Sequence, residues 1–126
     1  MTENHNEYVS LDIAKLLKKA GFDWAVEDYY GHSFLNHTIN FANHNVVGDE
    51  FSAPTLAVAQ RWLREIKGVQ VSTTNECMGD GTPCSWGVFF DSGKFDDSEC
   101  VNLVFDSYEE ALEYGIMECL LQIIED

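Results

Sequence analysis

The sequence predicts an α+β fold: a small antiparallel sheet of about three strands packed with helices. The expected order is α, an unassigned stretch, then α-β-β-β-α. Three observations carry this reading. Three stretches combine helical periodicity with recognisable ends. Three short apolar stretches between positions 69 and 105 are joined by turn chemistry, with no room for a crossover helix, so their sheet is antiparallel. Apolar residues make up 45% and aromatics 13% of 126 residues, which is enough for one core in a single domain spanning 1–126.

The first helix begins after Ser10, an N-cap residue, and runs from Leu11 to Ala20. Ile13, Leu16, Leu17 and Ala20 repeat at 3-4-3 spacing and make one buried face. Asp12 lies near the positive end of the helix dipole, and Lys18 and Lys19 near the negative end. Gly21 suits a left-handed ending, after which Phe22 packs back on Leu17. Residues 22 to 51 are rich in aromatics, Asn and His and hold no helical period. A structureless loop of that length is unusual in a small domain. A short strand near Trp24 to Tyr30, with a turn at Gly31 and His32, is the expectation.

The second helix is read with Ser52 as N-cap and Pro54 in its first turn. Leu56, Ala59, Leu63 and Ile66 form its stripe, Val58 and Trp62 widen it, and Gly68 ends it. Strands follow at Val69–Thr74, Trp86–Phe90 and Val101–Phe105, the last two joined by a turn over 91–94. In the last helix Ser107 and Glu110 form a capping box. Tyr108, Leu112, Gly115, Ile116, Cys119 and Ile123 line one face, and Leu120, Leu121 and Ile124 add a second apolar surface. Such a helix is either sandwiched or in contact with another chain. Gly115 in its middle implies close approach of a neighbouring backbone.

Charge narrows the partners. Lys and Arg total 7 against 22 Asp and Glu, a net charge of -15. A polyanion is repelled by nucleic acid and by anionic membranes, so neither is expected as a direct partner. The opening Met1 to Glu7 has no basic or apolar region of the kind a secretory signal carries, and no stretch approaches the length of a membrane helix. A cytoplasmic protein is expected, and in that compartment Cys77, Cys84, Cys100 and Cys119 are expected as thiols. Cys77 and Cys84 flank a Gly/Pro loop that a disulfide closes only under oxidising conditions.

No catalytic or metal constellation is expected. His32, His37 and His44, with Asp28 or Asp49, match no compact zinc spacing and read as a polar loop. The cysteines are too far apart for a zinc knuckle, and acidic surroundings raise rather than lower a thiol pKa. Gly79 and Gly81 flank Asp80 but lack the Lys and Ser/Thr of a phosphate loop, so a turn is expected. Asp91, Asp96, Asp97 and Glu99 do not follow the ligand order of a calcium loop and read as solvated hairpin carboxylates. Arg61, Arg64 and Lys67 are expected to pair with the chain's own carboxylates.

Two segments, SAPTLAVAQRWLRE from Ser52 and SYEEALEYG from Ser107, together with YVSLDIAKLLKKAGF from Tyr8, resemble a family of small proteins from phages and mobile elements of Bacteroides-type bacteria. The resemblance implies an origin and transfers no catalytic residue. Residues 52–126 are also similar in element order to a double-stranded-RNA-binding domain. That family opens its last helix with a basic cluster, where this chain has Tyr108, Glu109 and Glu110. With 4 basic against 14 acidic residues over this span, RNA binding is not implied.

The leading expectation is a non-enzymatic accessory protein that binds a protein partner or a second copy of itself, a homodimer, through the last helix. A second reading is an acidic nucleic-acid mimic that inhibits a host defence or DNA-binding protein, with fast, salt-sensitive association. A third is a small-ligand binder or enzyme built on residues 22 to 51. The candidate interaction or ligand surface accordingly comprises Trp24, Tyr29, Tyr30, His32 and His37, the acidic Asp96, Asp97 and Glu99, and the apolar Leu120, Leu121 and Ile124. No cofactor is expected.

Overall fold

The computed structural model describes residues 7–32, 34–77, 79–81, 84–91, 95–96, 98, 100 and 103–125. The fold is α+β, with three α-helices and two small antiparallel sheets among the described residues. Helix α1 spans Leu11–Ala20. Ser10 caps it, accepting from Ile13 N at 3.3 Å. Gly21 takes φ 97° at the other end. The Phe22 N–H then reaches Leu17 O at 2.9 Å and the Gly21 N–H reaches Lys18 O at 3.2 Å, the paired bonds of a Schellman ending.

The stretch that lacks a helical period forms a sheet of its own. Strands β1 (Val26–Gly31), β2 (Phe34–Ala42) and β3 (Glu50–Ser52) pair in the order β2-β1-β3, with both pairings antiparallel. The turn falls after Gly31, where His32 adopts φ 54°. The β1–β2 ladder is regular from Gly31↔Phe34 to Asp28↔His37 and resumes at Val26↔Ala42. Strand β2 therefore bulges over residues 38–41, opposite Glu27 alone. Thr38 Oγ1 secures the bulge by donating to Glu27 O at 2.9 Å.

Helix α2 spans Leu56–Trp62 and corrects the expected start. Its N-cap is Thr55, whose hydroxyl accepts from Val58 N at 3.2 Å. Ser52 instead ends β3 and is buried, where its Oγ accepts from His44 N at 3.1 Å. Pro54 lies outside the helix, and its carbonyl accepts from Val9 N at 3.1 Å. Beyond Trp62 the chain widens into a π turn over Leu63–Lys67. The wider turn breaks the 3.6-residue phase, so Ile66, expected in the apolar stripe, is 55% exposed. Gly68 ends the segment at φ 75°.

Strands β4 (Gln70–Glu76) and β5 (Ser85–Asp91) form the second sheet, a two-stranded hairpin. The expected third strand appears among the described residues as one bridge: Phe105 exchanges both backbone hydrogen bonds with Trp86, at 3.0 and 2.8 Å. Positions 101 and 102 and the turn at 92–94 lie outside the described residues. The expectation of four thiols is overturned in part. Cys77 and Cys84 form a disulfide that closes the far end of the hairpin, while Cys100 and Cys119 are buried thiols.

Helix α3 spans Tyr108–Glu125. Its capping box is present, with Ser107 Oγ accepting from Glu110 N at 3.1 Å. It packs on α1 and across both strands of the β4–β5 hairpin. Ala111, Leu112, Gly115, Ile116, Cys119 and Leu120 are buried there. Gly115 faces side chains rather than backbone: a Cβ would lie 2.5 Å from Val88 Cγ2 and 2.7 Å from Val71 Cγ1. Val9, Ile13, Leu17, Phe22, Trp62 and Val69 belong to the same core.

Candidate functional site

Strand β1 holds the only buried carboxylate among the described residues. Its alternation sends Val26, Asp28 and Tyr30 to one face and Glu27 and Tyr29 to the other. Asp28 is 5% exposed. Burial of a carboxylate is costly unless donors meet it. His37 Nδ1, from the paired position on β2, donates to Asp28 Oδ1. The Tyr8 side chain lines the same cleft as that carboxylate. Tyr8 is brought there by its backbone bridge to Thr55. The neighbouring Asp28 carboxylate, with burial, raises the Tyr8 pKa above its ordinary value.

His37 is likewise raised, first by its hydrogen bond to Asp28 and then by that carboxylate's charge, against a small opposing effect of burial. Its side chain is 67% exposed, so water screens the pair. A histidine pKa raised on folding stabilises the fold below the unfolded-state value of about 6.5, and that stabilisation fades as pH climbs through the folded-state pKa. The stability difference between wild type and His37→Asn, read from urea midpoints, is therefore expected to be largest near pH 6. It shrinks by pH 9. A difference that does not change with pH would remove the charged pair.

A cleft of about 250 Å³ opens beside this group. Tyr8, Asp28 and Glu27 supply its polar lining. Val26, Phe41, Ala53, Pro54 and Val58 supply the apolar walls. The second feature of this sheet is its outer edge. Phe34 is 72%, Ile39 87% and Phe41 68% exposed, and Leu35 is exposed beside Phe34. The bulge in β2 carries Ile39 and Phe41 out into solvent.

The aromatic and histidine residues singled out in the sequence are dispersed by this geometry. Trp24 packs on Phe22 with ring centres 6.2 Å apart, and Arg61 lies over it. Tyr29 stacks on His44 at 4.5 Å. Tyr30 donates to Val9 O at 2.7 Å from the opposite face. His32 is exposed at the β1–β2 turn, and only His37 joins the Asp28 cluster. Among the described residues no three His, Cys, Asp or Glu side chains are grouped to hold a metal ion.

Of the acidic run, Asp97 and Glu99 lie outside the described residues. Asp96 is tied by its backbone to Gln122, donating to Oε1 at 2.9 Å. On α3, Leu120 is fully buried while Leu121 and Ile124 are half-buried. Arg61 pairs with Glu65 at 2.7 Å and Arg64 donates to Gln70 at 3.1 Å. The Cys119 thiol is pushed up to about 12 by burial and by neighbouring Cys100, which keeps it protonated. Asp28, weighed in the sequence only as a metal ligand, is joined by Tyr8, Phe41 and Val58 in the cleft and by Phe34, Leu35 and Ile39 on the edge, none of them among the sequence candidates. An Asp between Val26 and Tyr30 on the inward phase of a strand is the signal that marks the first.

The arrangement defines an α+β protein with a buried carboxylate cluster on one face of a three-stranded sheet and an apolar edge on its outer strand. No family model matches the chain, and no curated protein or solved structure matches it either. No helix among the described residues is long and apolar enough to cross a membrane.

Proposed function

We propose that this chain is a non-enzymatic protein-interaction module, an accessory protein of a phage or mobile element, whose docking surface is the outer edge of β2. One observation carries the reading. Positions 29 to 48 contain no Asp, Glu, Lys or Arg in a chain of net charge -15, and they carry the exposed Phe34, Leu35, Ile39 and Phe41. Exposed edge strands are ordinarily guarded by charge or proline. Strand β2 has no Pro and no Asp, Glu, Lys or Arg, and its His37 is turned to Asp28.

The absence of charge selects the occupant. A basic partner is recognised by carboxylates, which this edge lacks. Two copies of a polyanion, in contrast, meet with least repulsion where neither carries them. The reading is a second copy seated edge to edge about a two-fold axis, the arrangement in which one patch complements itself. The last helix, expected to serve this purpose, spends Leu120 in the core and keeps Leu121 and Ile124 half-buried.

Light scattering coupled to size exclusion tests it. The expected mass is twice 14.3 kDa at high protein concentration. Added salt strengthens the dimer by screening the net charge. Ile39→Lys gives a monomer with an unchanged circular dichroism spectrum. A wild type that stays monomeric in high salt overturns the dimer. An association that weakens with salt favours the nucleic-acid mimic reading instead.

A further inference from the structure

We propose that the cleft between β1, the bulge of β2 and α2 is a binding site for a small organic cation, an alkylammonium whose charge sits on Asp28 and whose apolar chain lies between Phe41 and Val58. Only Phe41 is shared with the docking edge, so the proposal does not rest on the dimer.

Chemistry and size both point this way. Asp28 is a buried carboxylate bonded by the His37 imidazole, with the Tyr8 phenol in the lining beside it. A carboxylate offers about four acceptor positions, so capacity for a further donor remains. The sequence places no Lys or Arg between Lys19 and Arg61, and Arg61 is engaged by Glu65 and Trp24. The cleft therefore has the Asp28 carboxylate in its lining and no Lys or Arg.

The rest of the wall is apolar and ends at the exposed Phe41 ring, whose face attracts a cation entering from water. At about 250 Å³ the space falls just below that of drug-sized ligand sites, roughly 300–1,000 Å³, and suits a short chain with one charged end. The net charge of -15 raises the local concentration of any cation. His37 holds Asp28 from the solvent side with a largely exposed ring, so it can yield its place without disturbing the core.

The test is a nuclear magnetic resonance titration of the full chain with n-pentylammonium, using n-pentanol as the uncharged probe of the same length. The ammonium is expected to saturate the signals of Val26, Phe41 and Val58 at a concentration at least about tenfold lower than the alcohol. Binding is also expected to lower the apparent His37 pKa, because a cation on Asp28 competes with the protonated imidazole, and the coupling is reciprocal. Asp28→Asn removes the preference for the cation. Val58→Trp, which fills the cleft and leaves Asp28 in place, removes binding of both probes and serves if Asp28→Asn fails to fold. Equal affinity for the two probes overturns the proposal, as does ammonium binding that survives Val58→Trp. So does an ammonium that produces no saturable shift.

Discussion

Trp62→Ala is expected to destabilise the protein by about 3–5 kcal/mol, the range for removing a buried large aromatic side chain. The indole is 1% exposed and lies at the end of α2, where its ring centre sits 5.4 Å from that of Phe22. Phe22 in turn is the residue that follows the left-handed end of α1. The deletion therefore opens a hole where α1, α2 and the first sheet's entry meet. Total stability of a domain this size is typically about 5–15 kcal/mol, so the loss is a large share of it. The indole Nε1 is buried with no hydrogen-bond partner among the described residues. Trp62→Phe keeps a ring against Phe22 and removes that unsatisfied donor, so it is expected to cost much less. Urea midpoints for the three proteins check this. Equal losses in the two variants would refute packing as the cause.

Gly115→Ala tests two opposing effects on α3. In an exposed helix, replacing Gly by Ala stabilises by about 1 kcal/mol. Here the added methyl would lie 2.5 Å from Val88 Cγ2 and 2.7 Å from Val71 Cγ1. Both valines are buried and sit on paired strands β5 and β4, so neither moves freely. Overpacking of this kind costs about 1–3 kcal/mol, which offsets the propensity gain and leaves a net loss of up to about 2 kcal/mol. Adding Val71→Ala to Gly115→Ala makes room for the methyl. The double variant is expected to lose less than the sum of its parts, the coupling that neighbours in contact show. Thermal or urea unfolding of the single and double variants measures it. A Gly115→Ala protein more stable than wild type would mean that the helix rides farther from the hairpin.

The exposed edge of β2 and the cleft beside Asp28 explain why a function is harder to read from this sequence than a fold. An absence of charge over positions 29 to 48 is visible in the sequence. Its meaning depends on which residues the strand turns outward, and the bulge at 38–41 resets that alternation. The pairing of His37 with Asp28 depends on strand register, which sequence spacing does not carry. Tyr8 comes beside the same carboxylate from a segment 20 residues upstream, an approach made only when the chain closes on Thr55.

The disulfide has the same character. Cysteine spacing allowed it, and the antiparallel ladder from Gln70↔Asp91 to Glu76↔Ser85 is what sets Cys77 opposite Cys84.

The local order is legible in the residues alone. Ser10 and Gly21 bound α1, Ser107 and Glu110 start α3, Gly68 ends the segment after α2, and alternation marks β4. These signals act over three to five residues, where caps, backbone conformation and one periodicity decide the outcome. Tertiary structure decided the rest. It paired the expected strand near 24–30 with strands at 34–42 and 50–52, moved the N-cap of α2 from Ser52 to Thr55, and turned Ile66 outward through a π turn. It also buried Leu120 and left β2 uncovered. Each of these depends on long-range pairing and on which surface finds a neighbour, and local propensity is a weak guide when burial in the finished fold sets the balance.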